Sequence, residues 1–111
     1  MSGVLLHTIK AGDGVNFPQK GQTVRVHYEG RLEDGTKFDS SRDKGRIFSF
    51  RLGKGQVIEG WDIGVAQMSK GQIAKLTVPA MFGYGVEGYP PVIPRNATLT
   101  FEIELIDFRS D

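Results

Sequence analysis

Apolar and polar side chains alternate with a period of two residues in two segments of this chain. In 23–29 the apolar positions are Val24, Val26 and Tyr28, and the residues between them are polar or charged. Segment 99–105 repeats this alternation with larger apolar side chains. Because successive side chains of a strand point to opposite faces, each segment predicts a strand with one buried face and one wet face. Such strands belong to antiparallel sheets, which restricts the chain to a β-rich domain.

Three shorter apolar runs, at 4–9, 48–52 and 73–78, are long enough for further strands. Pairs such as Asp34-Gly35 and Lys70-Gly71 stand between the runs, and each supplies a residue that tolerates positive φ. These pairs are typical of turns between strands. We therefore expect an antiparallel sheet of about five strands.

Only one segment has the spacing of a helix. Ile58, Trp61, Val65 and Met68 follow one another at intervals of three and four residues, which places them on one stripe. The segment also contains two glycines, each of which lowers helix propensity by ~1 kcal/mol relative to alanine. We therefore expect a short helix that depends on packing against the sheet. The predicted fold class is α+β, a curved antiparallel β-sheet wrapped against one short α-helix.

The composition limits the function classes. The chain has 111 residues, close to the usual size of one domain, so we predict a single domain over 1–111. Its net charge is +1, so it lacks the excess of basic residues with which proteins bind a phosphate backbone. This argues against an OB-like nucleic-acid module. The absence of cysteine fits a reducing compartment, and no window approaches the ~20 apolar residues of a membrane span. We expect a soluble cytoplasmic protein that binds neither nucleic acid nor membrane.

Several catalytic and binding motifs are incomplete. His7 and His27 lie in separate predicted strands without further ligands at a suitable spacing, so we expect no metal site. Residues 39–41 together with His27 contain the residue types of a hydrolase triad, but no G-x-S-x-G sequence surrounds either serine. The glycines of 53–60 have the spacing neither of a P-loop nor of G-x-G-x-x-G. We expect no cofactor.

Segment 81–97 combines six glycines and prolines with apolar and aromatic side chains, among them Tyr84, Tyr89 and Ile93. Neither a ladder nor a helix can run through such a sequence, and loops longer than ~12–15 residues are often functional. We interpret the segment as the wall of a site, with closure of the core as the alternative. The charge run 42–46 is typical of a solvated loop or of a protein-contact face.

Four segments carry a family resemblance. They are 24–30, 35–41, 57–61 and 97–105, with the sequences VRVHYEG, GTKFDSS, VIEGW and ATLTFEIEL. In this order the chain resembles the FKBP family, the macrolide-binding peptidyl-prolyl isomerases, and most of all its short single-domain cytosolic members. The likeness extends over nearly the whole chain.

The resemblance implies a pocket with the Trp61 indole as its floor. Its substrate- and macrolide-binding residues would be Tyr28, Phe38, Asp39, Phe48, Val57, Ile58, Trp61, Tyr84, Tyr89, Ile93 and Phe101. The catalytic residues among them would be Tyr28, Phe38, Asp39, Trp61, Tyr84 and Phe101. In the family, the N–H matching Ile58 and the hydroxyl matching Tyr84 donate to ligand carbonyls, and the Asp39 counterpart accepts from a ligand hydroxyl. A carboxylate among rings is costly to bury alone, so we expect Asp39 to be hydrogen-bonded, to Tyr28 or to an arginine.

The chain also departs from residues that are common among its relatives. The departures are Lys44, Ile47, Phe82, Tyr89, Pro91 and Arg95. They fall in two rim segments, around the 42–46 run and in 81–97, so the implied floor of the pocket is unchanged while ligand affinity and substrate preference are open.

The implied activity is isomerisation of X–Pro bonds in proline-containing peptides and proteins, inhibited by tacrolimus and rapamycin. The exchange barrier is about 18–20 kcal/mol because rotation breaks amide resonance, so a catalyst needs only surroundings that favour the twisted amide. The alternative is a non-catalytic module that binds a proline segment of a partner protein. The resemblance also leaves open a macrolide-dependent phosphatase or kinase partner. We expect a monomer with weak self-association through 81–97, where an exposed X–Pro pair would enter a neighbour's pocket.

Overall fold

The computed structural model describes residues 3–110 of the chain. Its elements are β1 (Leu5–Lys10), β2 (Thr23–Arg31), β3 (Lys37–Ser40), β4 (Phe48–Arg51), α1 (Glu59–Val65), β5 (Ile73–Val78), a 3₁₀ turn (Ala80–Phe82) and β6 (Leu99–Arg109). The α+β prediction is confirmed, with six strands where the sequence predicted about five. The additional strand is β3, whose four residues carry one large apolar side chain, Phe38, and so form no alternating pattern.

All strand pairings are antiparallel, and the order across the sheet is β1-β5-β6-β2-β3. Strand β4 pairs with the other end of β2. The register shifts between Arg25 and Val26 where β2 meets β6, and between Gly30 and Arg31 where β2 meets β3. Bulges of this kind bend and twist a strand, which accounts for the curvature of the sheet.

The period-two pattern places the core where the sequence predicted it. In β2 the buried positions are Val24, Val26, Tyr28 and Gly30, and the positions between them are partly exposed. Strand β6 alternates in the same way through its first seven residues. The core therefore lies on one face of the sheet, and the opposite face carries the charged side chains of both strands.

Two glycines allow α1 to approach the sheet closely. A Cβ added to Gly60 would lie 2.5 Å from Cγ1 of Val78, and one added to Gly64 would lie 2.6 Å from Cδ1 of Leu76. The residues that weaken the helix as an isolated element therefore let it pack directly on β5. The helix ends at Val65, earlier than the apolar stripe, and Met68 is buried by the turn that follows.

Segment 81–97 contains no continuous ladder. One isolated bridge joins Tyr89 and Ile93, whose backbone groups bond each other at 2.9 and 2.8 Å. Asn96 N–H also donates to the Gly85 carbonyl at 3.2 Å, which fixes the base of the loop.

Within residues 3–110, no helix is both long enough and apolar enough to span a membrane.

Candidate active site

A pocket of about 340 Å³ opens between α1 and the sheet. It is lined by residues from five elements and the loops that join them, namely Tyr28, Phe38, Asp39, Lys44, Phe48, Gln56, Val57, Ile58, Trp61, Tyr84 and Phe101. Residues far apart in sequence meet here because β2 and β6 are adjacent in the sheet and α1 crosses the same face.

Trp61 lies at the base of the pocket and is held there by other rings. Its ring centroid is 4.9 Å from that of Tyr28 and 5.3 Å from that of Phe101, both in edge-to-face geometry. Phe48 and Phe50 contact the indole at 5.9 and 5.8 Å. Aromatic pairs at these distances stabilise by about 0.5–1.5 kcal/mol beyond area burial. The indole is only 5% exposed, so its position is fixed by the core.

Phe50 supports the pocket without lining it, and the resemblance did not assign it a role. The signal for it was present in the sequence, because Phe48 and Phe50 are two residues apart in a strand and therefore share a face. Their rings are stacked at 5.9 Å. Phe48 reaches the pocket, and Phe50 lies beneath it, 3% exposed.

Gly30 makes room for two rings of the wall. A Cβ at this position would lie 2.7 Å from Cζ of Phe38 and 2.9 Å from Cε1 of Phe101. The two rings meet edge to face at 5.7 Å, directly over the glycine. The glycine in the sequence VRVHYEG therefore has a steric role in shaping the pocket.

Asp39 is the carboxylate of the pocket, and three donors surround it. The Tyr28 hydroxyl donates to Oδ2 at 2.7 Å, and the Ser40 N–H donates to Oδ1 at 2.9 Å. The Lys44 ammonium contacts Oδ1 at 2.9 Å. The expected hydrogen bond between Asp39 and Tyr28 is confirmed. The cation beside Asp39 is a lysine and not the arginine given as the alternative.

These contacts set the protonation states of the pocket. Burial raises the pKa of Asp39, but hydrogen bonds from Lys44, Tyr28 and Ser40 and the Lys44 charge outweigh it and leave the pKa below its ordinary value. Burial, followed by the hydrogen bond to Asp39 and its negative charge, raises the pKa of Tyr28. The pKa of Tyr84 is raised first by burial and then by the charge of Asp39. At neutral pH the site therefore holds one carboxylate and two protonated phenols.

Several donors of the pocket have no partner in the part of the chain that the structure describes. One is the Trp61 indole N–H, which is buried. Two others are the Tyr84 hydroxyl and the backbone N–H of Ile58, which precedes α1. The latter two groups belong to pocket-lining residues that are not fully buried. They are free to donate to carbonyl oxygens of a bound molecule.

Tyr89 and Ile93 were assigned to the binding set, but neither lines the pocket. Ile93 is 2% exposed and belongs to the core, and Tyr89 is 63% exposed. The Tyr89 ring lies 5.8 Å from that of Tyr84, so it can act on the pocket only through that neighbour. Lys44 and Gln56 line the pocket although they were not in the predicted set, and no apolar pattern indicated them.

The alternative chemistries find no support in the geometry. Nδ1 of His27 lies 2.9 Å from Oγ of Ser41, but Asp39 bonds elsewhere, so no triad forms. The N–H groups of Gly53 and Gly55 donate to the Asp62 carboxylate at 2.8 and 3.3 Å, which leaves no phosphate cradle. No group of three metal-ligating side chains occurs within 3–110.

The pocket is lined mostly by rings and aliphatic side chains, and its lining includes no serine, cysteine or histidine. Together with the curved sheet and single short helix, it defines a small α+β domain with a pocket whose lining suits an apolar, ring-sized group held by noncovalent contacts.

Comparison with known proteins identifies the family to which this domain belongs. The model of the family described as FKBP-type peptidyl-prolyl cis-trans isomerase matches residues 14–106. The chain is 59% identical to peptidyl-prolyl cis-trans isomerase FKBP1A of Xenopus laevis and 57% identical to peptidyl-prolyl cis-trans isomerase Fkbp12 of Drosophila melanogaster. It is 56% identical to FK506-binding protein 1A of Emericella nidulans. Each comparison spans 104 residues, 94% of this chain and 96% of the relative.

The chain belongs to the FKBP-type peptidyl-prolyl cis-trans isomerase family, and the resemblance found in its sequence is confirmed. It is an enzyme that isomerises X–Pro peptide bonds.

Proposed function

We propose that the pocket over Trp61 is where isomerisation occurs, and that it accelerates the reaction by favouring the twisted X–Pro amide. The observation that supports this most is the indole at the base of an open pocket, enclosed by the rings of Tyr28, Phe48 and Phe101. A volume of about 340 Å³ accommodates a pyrrolidine ring together with the carbonyl groups beside it.

The proposed chemistry needs no covalent intermediate. The planar X–Pro amide is stabilised by resonance that makes it more dipolar than the twisted form. Transfer from water into a pocket of rings therefore destabilises the planar amide more than the twisted one, which lowers the barrier. The free N–H of Ile58 and the Tyr84 hydroxyl hold the neighbouring carbonyls, so the peptide is oriented while the amide rotates.

Asp39 has a different role in this proposal. Lys44 stabilises its negative charge, and the hydrogen bond from Tyr28 orients it. Asp39 therefore presents an oriented carboxylate at the edge of the pocket. Such a group accepts a hydrogen bond from a hydroxyl or N–H of the bound molecule. Burial and then the bond to Asp39 raise the pKa of the Tyr28 phenol further above neutral pH.

Catalysis at this site is tested with Leu-Pro and Phe-Pro peptides by NMR exchange. Micromolar protein is expected to accelerate exchange in both, and an Asp39→Val variant to reduce ligand binding. Acceleration that persists unchanged when the pocket is blocked would contradict the assignment of the site.

Macrolide binding is the second part of the proposal. The Emericella nidulans relative is named for binding FK506, which is tacrolimus. Trp61 is the only tryptophan of the chain, so its fluorescence reports on the base of the pocket. Saturable quenching by tacrolimus or rapamycin is expected, and a macrolide-dependent phosphatase or kinase partner would then bind only the loaded protein. Unchanged fluorescence and unchanged exchange at high macrolide concentration would contradict it.

The same pocket also supports a regulatory role, in which it docks a proline segment of a partner protein. Pull-downs with free and macrolide-blocked protein separate this role from turnover. A partner lost on blocking uses the pocket, and a partner retained on blocking does not.

Weak self-association through 81–97 stays a prediction. Pro90 and Pro91 are exposed at the tip of the loop, so an X–Pro pair is accessible to a second molecule. Concentration-dependent sedimentation that disappears in Pro90→Gly would support it, and sedimentation unaffected by that change would oppose it. The single domain over 1–111 and the cytoplasmic location also stay predictions.

A further inference from the structure

A second cavity lies beside the pocket, and we call it the side cavity. Its volume is about 270 Å³, and it is lined by Tyr28, Ser41, Lys44, Arg46, Ile47 and Phe48. Three of these residues, Tyr28, Lys44 and Phe48, also line the pocket over Trp61. The two cavities are therefore neighbours that share one wall.

The charges around the side cavity are paired with one exception. Arg42 pairs with Glu104, Asp43 with Lys37, and the Lys44 ammonium with Asp39 at 2.9 Å. The guanidinium of Arg46 makes no hydrogen bond or ion pair with any residue of 3–110. In the run 42–46, Arg46 alone keeps an unneutralised charge.

The backbone holds Arg46 at this place. Its N–H donates to the Ser41 carbonyl at 3.2 Å, and Gly45 provides a turn with φ of +70° immediately before it. Ile47 and Phe48 are partly exposed beside it, so the cation lies next to an apolar surface. A planar guanidinium in a cavity that also contains two rings and an aliphatic side chain is suited to a carboxylate on a short aliphatic stem, which can bond it through two oxygens.

We propose that the side cavity is a substrate subsite for an acidic side chain, aspartate or glutamate, in a position that flanks the proline, with Arg46 as its counter-ion. The inference rests on the proposed function, because it requires the proline to occupy the neighbouring pocket. Consecutive Cα atoms are ~3.8 Å apart, so a side chain next to a proline bound over Trp61 is within reach of the wall that the two cavities share. Because Lys44 is already neutralised by Asp39, the incoming carboxylate meets the charge of Arg46 unopposed.

The subsite is tested by NMR exchange on peptide pairs that differ only by Glu or Gln, in each of the two positions that flank the proline. The measured quantity is the ratio of kcat/KM for the Glu peptide to that for the Gln peptide. The wild-type ratio is expected to be about two to five in at least one position, the range for an exposed ion pair. It is expected to fall to about one in Arg46→Gln and below one in Arg46→Glu.

Lys75→Gln is the matched control, because it removes one charge from the opposite, solvent-facing side of the sheet. A wild-type ratio of one in both positions would overturn the inference, as would equal falls in Arg46→Gln and Lys75→Gln. The proposed function fails in a different way, namely when the Gln peptides are not accelerated at all.

Discussion

The base of the pocket and its edge are built on different principles. At the base, Trp61 and Phe101 are buried, are in contact with each other, and belong to the core that holds α1 on the sheet. At the edge, Lys44 and Tyr84 are exposed and owe their positions to local contacts. Changes at the base should therefore alter stability and activity together, whereas changes at the edge should alter ligand selection with little effect on stability.

The largest effect is expected for Trp61→Leu at the base. The change removes four ring contacts and leaves unfilled volume in the core, so the free energy of unfolding should fall by about 2–4 kcal/mol. Isomerase activity should fall by about tenfold or more, because the surface that binds the twisted amide is lost. Urea unfolding and NMR exchange measure the two effects. Phe17→Leu, a change at an exposed aromatic outside the pocket, is the control, and equal effects of the two changes would refute the role of Trp61 at the base.

Gly30→Ala should have the next largest effect. The added methyl group meets Phe38 and Phe101 at less than 3 Å and drives both rings into the pocket. Overpacking of this kind costs about 1–3 kcal/mol, and kcat/KM should fall severalfold because the pocket narrows.

Gly35→Ala provides the comparison for that change. Its φ is +90° and nothing lies within 4 Å of an added Cβ, so it strains the backbone away from the pocket. It should lower stability while leaving kcat/KM unchanged. If both variants lose stability and neither loses activity, Gly30 does not shape the pocket.

At the edge, Lys44→Met should raise the pKa of Asp39 and have little effect on the free energy of unfolding at neutral pH. In the folded protein the pKa of Asp39 is below its ordinary value, so the bonds to its carboxylate stabilise the fold above about pH 4 and are lost as the pH falls through the folded-state pKa. Without Lys44 the burial of Asp39 is less well opposed, so its pKa should rise and the loss should begin at higher pH. The free energy of unfolding at pH 7 should change by at most about 1 kcal/mol, since the pair is partly exposed and solvent screens its attraction.

An NMR titration of the Asp39 carboxyl carbon measures this shift. Lys44→Arg should restore the wild-type titration, because it returns a cation to the same place. A titration curve that is identical in wild type and Lys44→Met would show that Lys44 does not control the carboxylate.

The smallest effects distinguish two tyrosines of segment 81–97. Tyr84→Phe removes a free hydroxyl that lines the pocket, and kcat/KM should fall by about fivefold, equivalent to ~1 kcal/mol for one hydrogen bond. Tyr89→Phe removes a hydroxyl outside the pocket and should leave kcat/KM unchanged. A larger effect at Tyr89 than at Tyr84 would reverse the assignment of the loop.

The residues at the base of the pocket could be predicted from the sequence better than those at its edge, for a physical reason. A strand with one buried face must alternate, so the alternation alone assigns Val24, Val26 and Tyr28 to the core side. Exposed residues are under no such constraint. That Lys44 pairs with Asp39, and that Arg46 pairs with no residue of 3–110, follows from the path of a loop that leaves no periodic trace in the sequence.

For some residues the sequence indicated a structural property but not the contacts that follow from it. The glycines of α1 were expected to weaken it, and the structure shows that they allow contact with Val78 and Leu76. Ile93 was expected in the binding set, but it is 2% exposed and is not among the residues that line the pocket. In both cases the outcome depends on which neighbour lies opposite, and that is decided by the pairing of distant strands.

Simultaneous measurement of Trp61 fluorescence and X–Pro exchange tests the assignment of catalysis to this pocket most directly. Tacrolimus is titrated into the protein in the presence of a Leu-Pro peptide, and quenching and exchange rate are recorded on the same sample. We expect the catalysed exchange to fall in proportion to the quenching and to reach the uncatalysed rate when quenching saturates. Full catalysis at saturated quenching would show that the bond is isomerised elsewhere on the molecule.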